Sequence, residues 1–344
     1  MHLLLREQEW TPATVQESLR QAYIDTALRN ALLLDELGRV LRLLAQAGIP
    51  AIILKGAALA EAVYGNAALR PMLDLDLLIP AERVAEAVAL LEEIGYQSAG
   101  VEVAAGVTLA YENEVMLGKN DCTGTALELH WSLIDSPHYQ RTLAMAWFWQ
   151  TGQPAMVAGA PARVLGLEAQ VLHLCAHLLL HHRGRGLLWQ MDIVALLHAW
   201  GGRIDWDLVL AQAAAFDLVL PLRQVLAELA ATWHAPVPAL VLHRLAALSP
   251  SPAEQQVVQR LTAAQRPTAR RFWADLASLP TWQQRLRFAG LHLFPSPAYM
   301  RQRYTLSHAA LLPAYYLYRW VSGFFDIVFV NKNEKAAKVI NIDN

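Results

Sequence analysis

Residues 72–79, Met-Leu-Asp-Leu-Asp-Leu-Leu-Ile, constrain this chain more than any other stretch. Apolar and acidic residues alternate there with the period of a β-strand, and on a strand positions i and i+2 share a face. Asp74 and Asp76 therefore project together while Leu75 and Leu77 enter a core. Two carboxylates held side by side on an apolar strand repel each other unless a cation lies between them. A divalent metal is the simplest candidate, because hard cations take carboxylate oxygens and Mg2+ typically binds one or two carboxylates plus substrate phosphates. The bland alternative is a solvated face on an edge strand.

The upstream sequence adds to this. Apolar residues recur near every 3.6 positions over 13–46, which predicts a long helix closed by Gly48 and Pro50. Residues 51–54 read as a short buried strand, Lys55-Gly56 breaks it, and 57–64 has helical composition. A strand, a glycine break and a helix let backbone N–H groups face a phosphate, and Lys55 supplies a cation at the same place. The Gly-x-x-x-x-Gly-Lys-Ser/Thr pattern is missing. Downstream, 81–94 predicts an amphipathic helix, 96–117 two strands around Gly106, and 125–133 another alternating strand. On the last, Glu128 and His130 share a face. If it lies beside the Asp74/Asp76 strand, Glu128 completes a three-carboxylate cluster, which suits two metal ions that activate a hydroxyl and stabilise leaving pyrophosphate.

Leu54-Lys-Gly-Ala-Ala-Leu59, Tyr64, Arg70-Pro-Met-Leu-Asp-Leu-Asp-Leu-Leu-Ile79 and Leu127-Glu-Leu-His-Trp131 together resemble the uncharacterised nucleotidyltransferase family of the DNA polymerase β-like superfamily. The Lys55-Gly56 start also looks like the antitoxin-paired nucleotidyltransferases of abortive-infection systems. The resemblance implies an α+β fold: a polymerase β-like core, with a small mixed sheet flanked by helices, and a mainly α-helical C-terminal domain. It implies an NTP co-substrate with Mg2+ or Mn2+, and transfer of an NMP to an acceptor hydroxyl. It sets Gly56 and Ala57 at the superfamily's Gly-Ser position, Asp74 and Asp76 at its metal-binding pair, and Glu128 at its third carboxylate. Ala57 stands where many relatives carry Ser, and the third carboxylate is Glu rather than the commoner Asp.

The expected roles follow. Asp74, Asp76 and Glu128 hold metal and are catalytic, with Asp76 or Glu128 as the base. Lys55, Gly56, Ala57 and Arg70 bind the nucleotide, and His130 and His177 position substrate. Arg70 has a second reading as a loop arginine capping a helix. The alternative function is a catalytically degenerate nucleotide-binding or scaffold protein.

The second half reads as helices over 167–182, 191–200, 206–216, 221–233 and 238–248. His173, His177 and His181 fall on one face of the first. Ordinary packing, a place for His177 beside base or ribose, and zinc are the three readings, and no fourth zinc ligand is evident. The expected organisation is an N-terminal helical segment (1–48), the nucleotidyltransferase core (49–150), a helical domain (151–330) and a flexible tail (331–344).

Composition narrows the classes further. Charged residues are only 17%, which excludes disorder for most of the chain. Two cysteines, Cys122 and Cys175, exclude a disulfide framework. A net charge of −2 argues against general nucleic-acid binding. Residues 251–320 nevertheless carry nine Arg against Glu254 and Asp275, while 1–250 is acidic. Either a basic lobe docks on an acidic one, or the arginines face an anionic partner such as the acceptor. Arg6, Glu7 and Glu9 precede any apolar run of signal-peptide length. Pro313, Arg319 and Asp326 interrupt 309–330, which reads as a buried or surface-docked helix pair. Membrane contact is not expected, and the expected location is cytoplasmic.

Overall fold

The computed structural model describes residues 12–98, 113–121, 124–263, 272–273, 276–277, 279, 281–306 and 308–322. The chain divides into two compact units, one of Met1–Ala99, Glu114–Ile134 and Thr142–Leu261, the other of Gly100–Asn113, Asp135–Arg141 and Thr262–Asn344.

The first unit opens on helix α1, Ala13–Gln46. Its buried stripe, Leu33, Leu37, Val40, Leu41 and Leu44, follows the helical period and packs on a sheet. The sheet is built from β1 (Ile52–Ile53), β2 (Asp74–Leu78), β3 (Tyr96–Ser98), β4 (Glu114–Lys119), β5 (Ala126–His130), β6 (Gln153–Val157) and β7 (Ala160–Val164). Helix α2, Lys55–Ala62, follows β1, and α3, Val84–Glu93, joins β2 to β3. The strand order is β3-β4-β5-β2-β1-β7-β6. Strands β2 and β5 run parallel, with Asp76 opposite Glu128 and Leu77 opposite Leu129. Strands β4 and β5 run antiparallel, with Glu114 opposite His130. Leu75, Leu77, Leu127, Leu129 and Leu117 thus line one face and join the core under α1 and α3.

After the sheet the unit is helical: α4 (Leu167–Ala176) running into a π turn (His177–His181), then α5 (Leu187–Trp200), α6 (Trp206–Ala215), α7 (Val219–Trp233), α8 (Ala239–Ala247) and α9 (Pro252–Thr262). In the second unit, α10 (Trp282–Leu293) begins with a reciprocal capping box between Thr281 and Gln284, and α11 (Pro297–Arg303) follows. Phe272 stacks there on Phe288, with ring centroids 5.4 Å apart.

This is the mixed sheet flanked by helices, followed by mainly helical chain, that the sequence implies. One pair of strands departs from that reading. The β6–β7 hairpin turns at Ala158 (φ 54°) and Gly159 (φ 67°), a two-residue turn with both residues left-handed. Ala-Gly is a weak hairpin signal beside Asn-Gly, and Pro154 and Pro161 inside the strands mask them further. Of the two strands expected in 96–117, the structure describes β3 and β4, and the intervening segment with Gly106 lies outside the described residues. So do Cys122, residues 323–330 and the expected tail 331–344. No helix among the described residues is long and apolar enough to cross a membrane.

Candidate active site

The parallel register of β2 and β5 decides what the other face of the sheet carries. Asp76 and Glu128 are direct neighbours, and His130, two residues on from Glu128, lies opposite Glu114 of β4. The His130 ring joins all three acids. Its Nε2 is 3.0 Å from Asp76 Oδ1 and 3.4 Å from Glu128 Oε2, and its Nδ1 is 2.9 Å from Glu114 Oε2. Burial and Lys55 both oppose charge on this imidazole, but hydrogen bonds to Asp76, Glu114 and Glu128 outweigh them and raise its pKa to about 10.

Lys55 enters from the turn between β1 and α2. Its Nζ donates to Asp76 Oδ1 at 2.7 Å and lies 3.7 Å from Glu128 Oε2. Burial raises the cost of ionising Asp76, yet Lys55 and His130 hold its carboxyl well below the usual range. Burial likewise works against the Lys55 ammonium, and Asp76 and Glu128 raise its pKa all the same. Asp74 lies further along β2. Burial, then the charges of Asp76 and Glu128, push its carboxyl up to about 6.

The turn that delivers Lys55 is unusual. Lys55 has φ 48°, in the left-handed region, at the first position of α2. A non-glycine residue there costs on the order of 1 kcal/mol or more and tends to persist at functional positions. The residue before the helix, Leu54, is extended and offers no side-chain cap, so no side chain from the capping position covers the first N–H groups of α2. Gly56 and Ala57 are both buried in that first turn.

Arg70, expected to bind the nucleotide, is engaged by Asp192 in the folded chain. Its Nε and Nη2 donate to Asp192 of α5 at 3.2 and 2.7 Å, and its Nη1 donates to the Pro71 carbonyl at 2.8 Å. Asn30 of α1 holds the same loop from behind, donating to the carbonyls of Ala67 and Arg70 and accepting from the Met72 N–H. His177 is buried within a group of rings, 5.9 Å from His173, 5.2 Å from His181 and 4.6 Å from His182 between centroids. Burial holds His177 neutral by pushing its pKa down. Both ring nitrogens of buried His173 lack a hydrogen-bond partner.

Among the described residues, one group of acids and histidines brings three ligand atoms within 4.8 Å of one another: Asp76, Glu128 and His130. Two carboxylates, joined by the imidazole once it gives up its proton, form a donor set that suits a divalent ion. Asp74 is not in that group. Its place two residues back along β2 sets it about 7 Å away at the backbone. The zinc reading of His173, His177 and His181, one of three open in the sequence, gains no such group among the described residues.

A family model described as uncharacterised nucleotidyltransferase matches residues 3–235, which takes in every residue of this site. The chain belongs to the uncharacterised nucleotidyltransferase family. Three solved structures are distant likenesses of this nucleotidyltransferase, each with a TM-score of 0.37. The solution structure of the antibiotic-resistance factor ANT(2'')-Ia is 16% identical over 60% of this chain and 98% of that one. The crystal structure of ANT(2'')-Ia in complex with adenylyl-2''-tobramycin is 17% identical over 53% and 95%. An antigenic nucleotidyltransferase-like protein from Paracoccidioides brasiliensis is 16% identical over 61% and 97%. No curated protein matches.

Reasoning from the sequence missed Glu114 and gave Asp192 no role. Glu114 had no signal, since only the β4–β5 register brings it to His130. Asp192 had one: it is the only carboxylate in the fourteen residues of α5, a largely apolar helix whose one other titratable residue is His198 in its last turn.

Proposed function

We propose that this nucleotidyltransferase moves a nucleoside monophosphate from an NTP to an acceptor hydroxyl, with Mg2+ or Mn2+. The observation that carries this is the meeting of Asp76, Glu128 and His130 on one sheet face beneath the Lys55–Gly56 turn. Asp76 and Glu128, with His130 beside them and Asp74 further along β2, would hold the metal. When bound, it would neutralise the charge that develops on the phosphates. The acceptor oxygen attacks the α-phosphorus as the bond to pyrophosphate breaks, and the acceptor proton passes to Asp76 or Glu128. Lys55 and the N–H groups of Gly56 and Ala57 bind phosphate oxygens, and catalysis comes from positioning and charge placement. His177 faces base or ribose.

The arginine-rich region 251–320 suits an anionic acceptor, because guanidinium forks match phosphate and carboxylate.

The test is labelled ATP added with Mn2+ to purified protein and cell extract, with mass spectrometry for the labelled product and an assay for pyrophosphate. Pyrophosphate release that Asp76→Asn abolishes supports the reading. Release unchanged in that variant refutes it. The Lys55 ammonium and the His130 ring together already offset the charges of Asp76 and Glu128, and this favours a second reading, a nucleotide-binding protein without turnover. Tight ATP binding with no pyrophosphate from any NTP would establish that instead.

A further inference from the structure

A second buried charge cluster sits behind the Lys55–Gly56 turn. Asp192 accepts from Arg70 Nη2 at 2.7 Å, from Arg70 Nε at 3.2 Å and from the Tyr64 hydroxyl at 2.8 Å. Arg70 is 5% exposed and Asp192 1%. The guanidinium also rests on Gly56: a Cβ at that position would lie 2.4 Å from Arg70 Nη1 and 3.1 Å from Met72 Cγ. Glycine is required there because another group approaches the backbone closely. The next residue back is Lys55, left-handed at φ 48°, with its ammonium on Asp76 and Glu128.

A buried ion pair is by itself a poor stabiliser, since an apolar pair of similar volume commonly does as well, and its best-attested use is to fix register. Here the register at stake is that of one turn. Arg70 is anchored on one side by Asp192 and on the other by the Pro71 carbonyl, so its position over Gly56 is fixed from two directions.

We propose that Asp192 is a positioning residue that, through the Arg70 guanidinium resting on Gly56, holds the Lys55–Gly56 turn in the conformation that meets the nucleotide phosphates. Helix α5 thereby sets the geometry of a turn made more than 120 residues earlier in the chain. The inference rests on the nucleotide-binding reading above and adds to it a residue that touches no substrate.

The experiment is calorimetric titration of a non-hydrolysable ATP analogue in Mn2+ into wild type, Asp192→Asn, Lys55→Ala and the double variant. Each single variant is expected to lose about tenfold in affinity, the scale of one charge-assisted hydrogen bond. Because Asp192 acts through the turn that carries Lys55, the double variant should bind no more than about threefold worse than Lys55→Ala alone. Losses that multiply to about a hundredfold, or an affinity unchanged by Asp192→Asn, would overturn the proposal. If Asp192→Asn does not fold, Arg70→Lys and Tyr64→Phe replace it in the same cycle, and the same two outcomes decide. Wild type that binds no analogue refutes the nucleotide-binding reading and this proposal together. Wild type that binds while Asp192→Asn binds equally well refutes this proposal alone.

Discussion

At the scale of single residues, the site consists of charges that answer each other. Asp76 meets Lys55 and His130, whereas Asp74, on the same strand face, meets chiefly a partly buried setting and then like charge. The folded chain therefore holds the Asp74 proton more tightly than the unfolded one, with a carboxyl at about 6 against 3.8. The contribution of this one carboxyl to stability therefore falls as pH rises from about 4 to about 6 and does not recover above that. Asp74→Asn removes the penalty. Metal-free Asp74→Asn protein should melt a few degrees above wild type at pH 7, and the difference should close below pH 4; calorimetric melts across that range check it. Gly56 makes the opposite kind of prediction. Gly56→Ala pushes a methyl into the Arg70 guanidinium and should destabilise by about 1–3 kcal/mol, as overpacking does. Urea unfolding measures that, and an unchanged midpoint would show that Arg70 can step aside.

At the scale of elements, what the sequence made legible and what it hid divide cleanly by range. The alternation in 72–79 and 125–133 identifies β2 and β5 and even the face on which Asp76, Glu128 and His130 lie, because a two-residue period is local. Which strands are neighbours is not local. The parallel β2–β5 pairing was an open condition in the sequence and is a fact of the sheet. The β4 register, which brings Glu114 to His130, had no trace in composition. The same holds on the core face. Glu36 of α1, buried at 2%, accepts from Lys119 of β4 at 2.8 Å and from the Tyr96 hydroxyl of β3 at 3.1 Å, and so ties the helix to two strands. Lys119→Met leaves that carboxylate with the Tyr96 hydroxyl and, at 3.7 Å, the more exposed Arg39 guanidinium of its own helix. It should cost about 3 kcal/mol, read as a lower denaturant midpoint at unchanged slope.

At the scale of the whole molecule, the arginines of 251–320 are partly engaged within the second unit. Arg285 donates to the Leu279 and Ala277 carbonyls, Arg303 stands over the Tyr304 ring at 5.9 Å, and Arg319 over Tyr299 at 5.5 Å. Arg266, Arg270 and Arg271 lie outside the described residues. The sequence showed the excess of positive charge but not this internal use, because aromatic residues scattered along the chain give no sign of which arginine they meet. Net charge by region is legible; pairing is not.

The position of β1 in the sheet has a consequence for how the chain is made. This strand lies between β2 on one side and β7 on the other, and β7 meets it at Val164. During synthesis the strand just before Lys55 keeps an open side until more than a hundred further residues have left the ribosome. A bare edge of apolar Ile52-Ile53 is an invitation to other strands, and late, long-range closure of this kind slows folding. A fragment of 12–150 should therefore sediment as aggregates when expressed alone, while 12–261 should stay dispersed, the difference lying in the hairpin that closes the edge and the helices that follow it. Equal behaviour of the two fragments in ultracentrifugation would show that β1 needs no partner on that side.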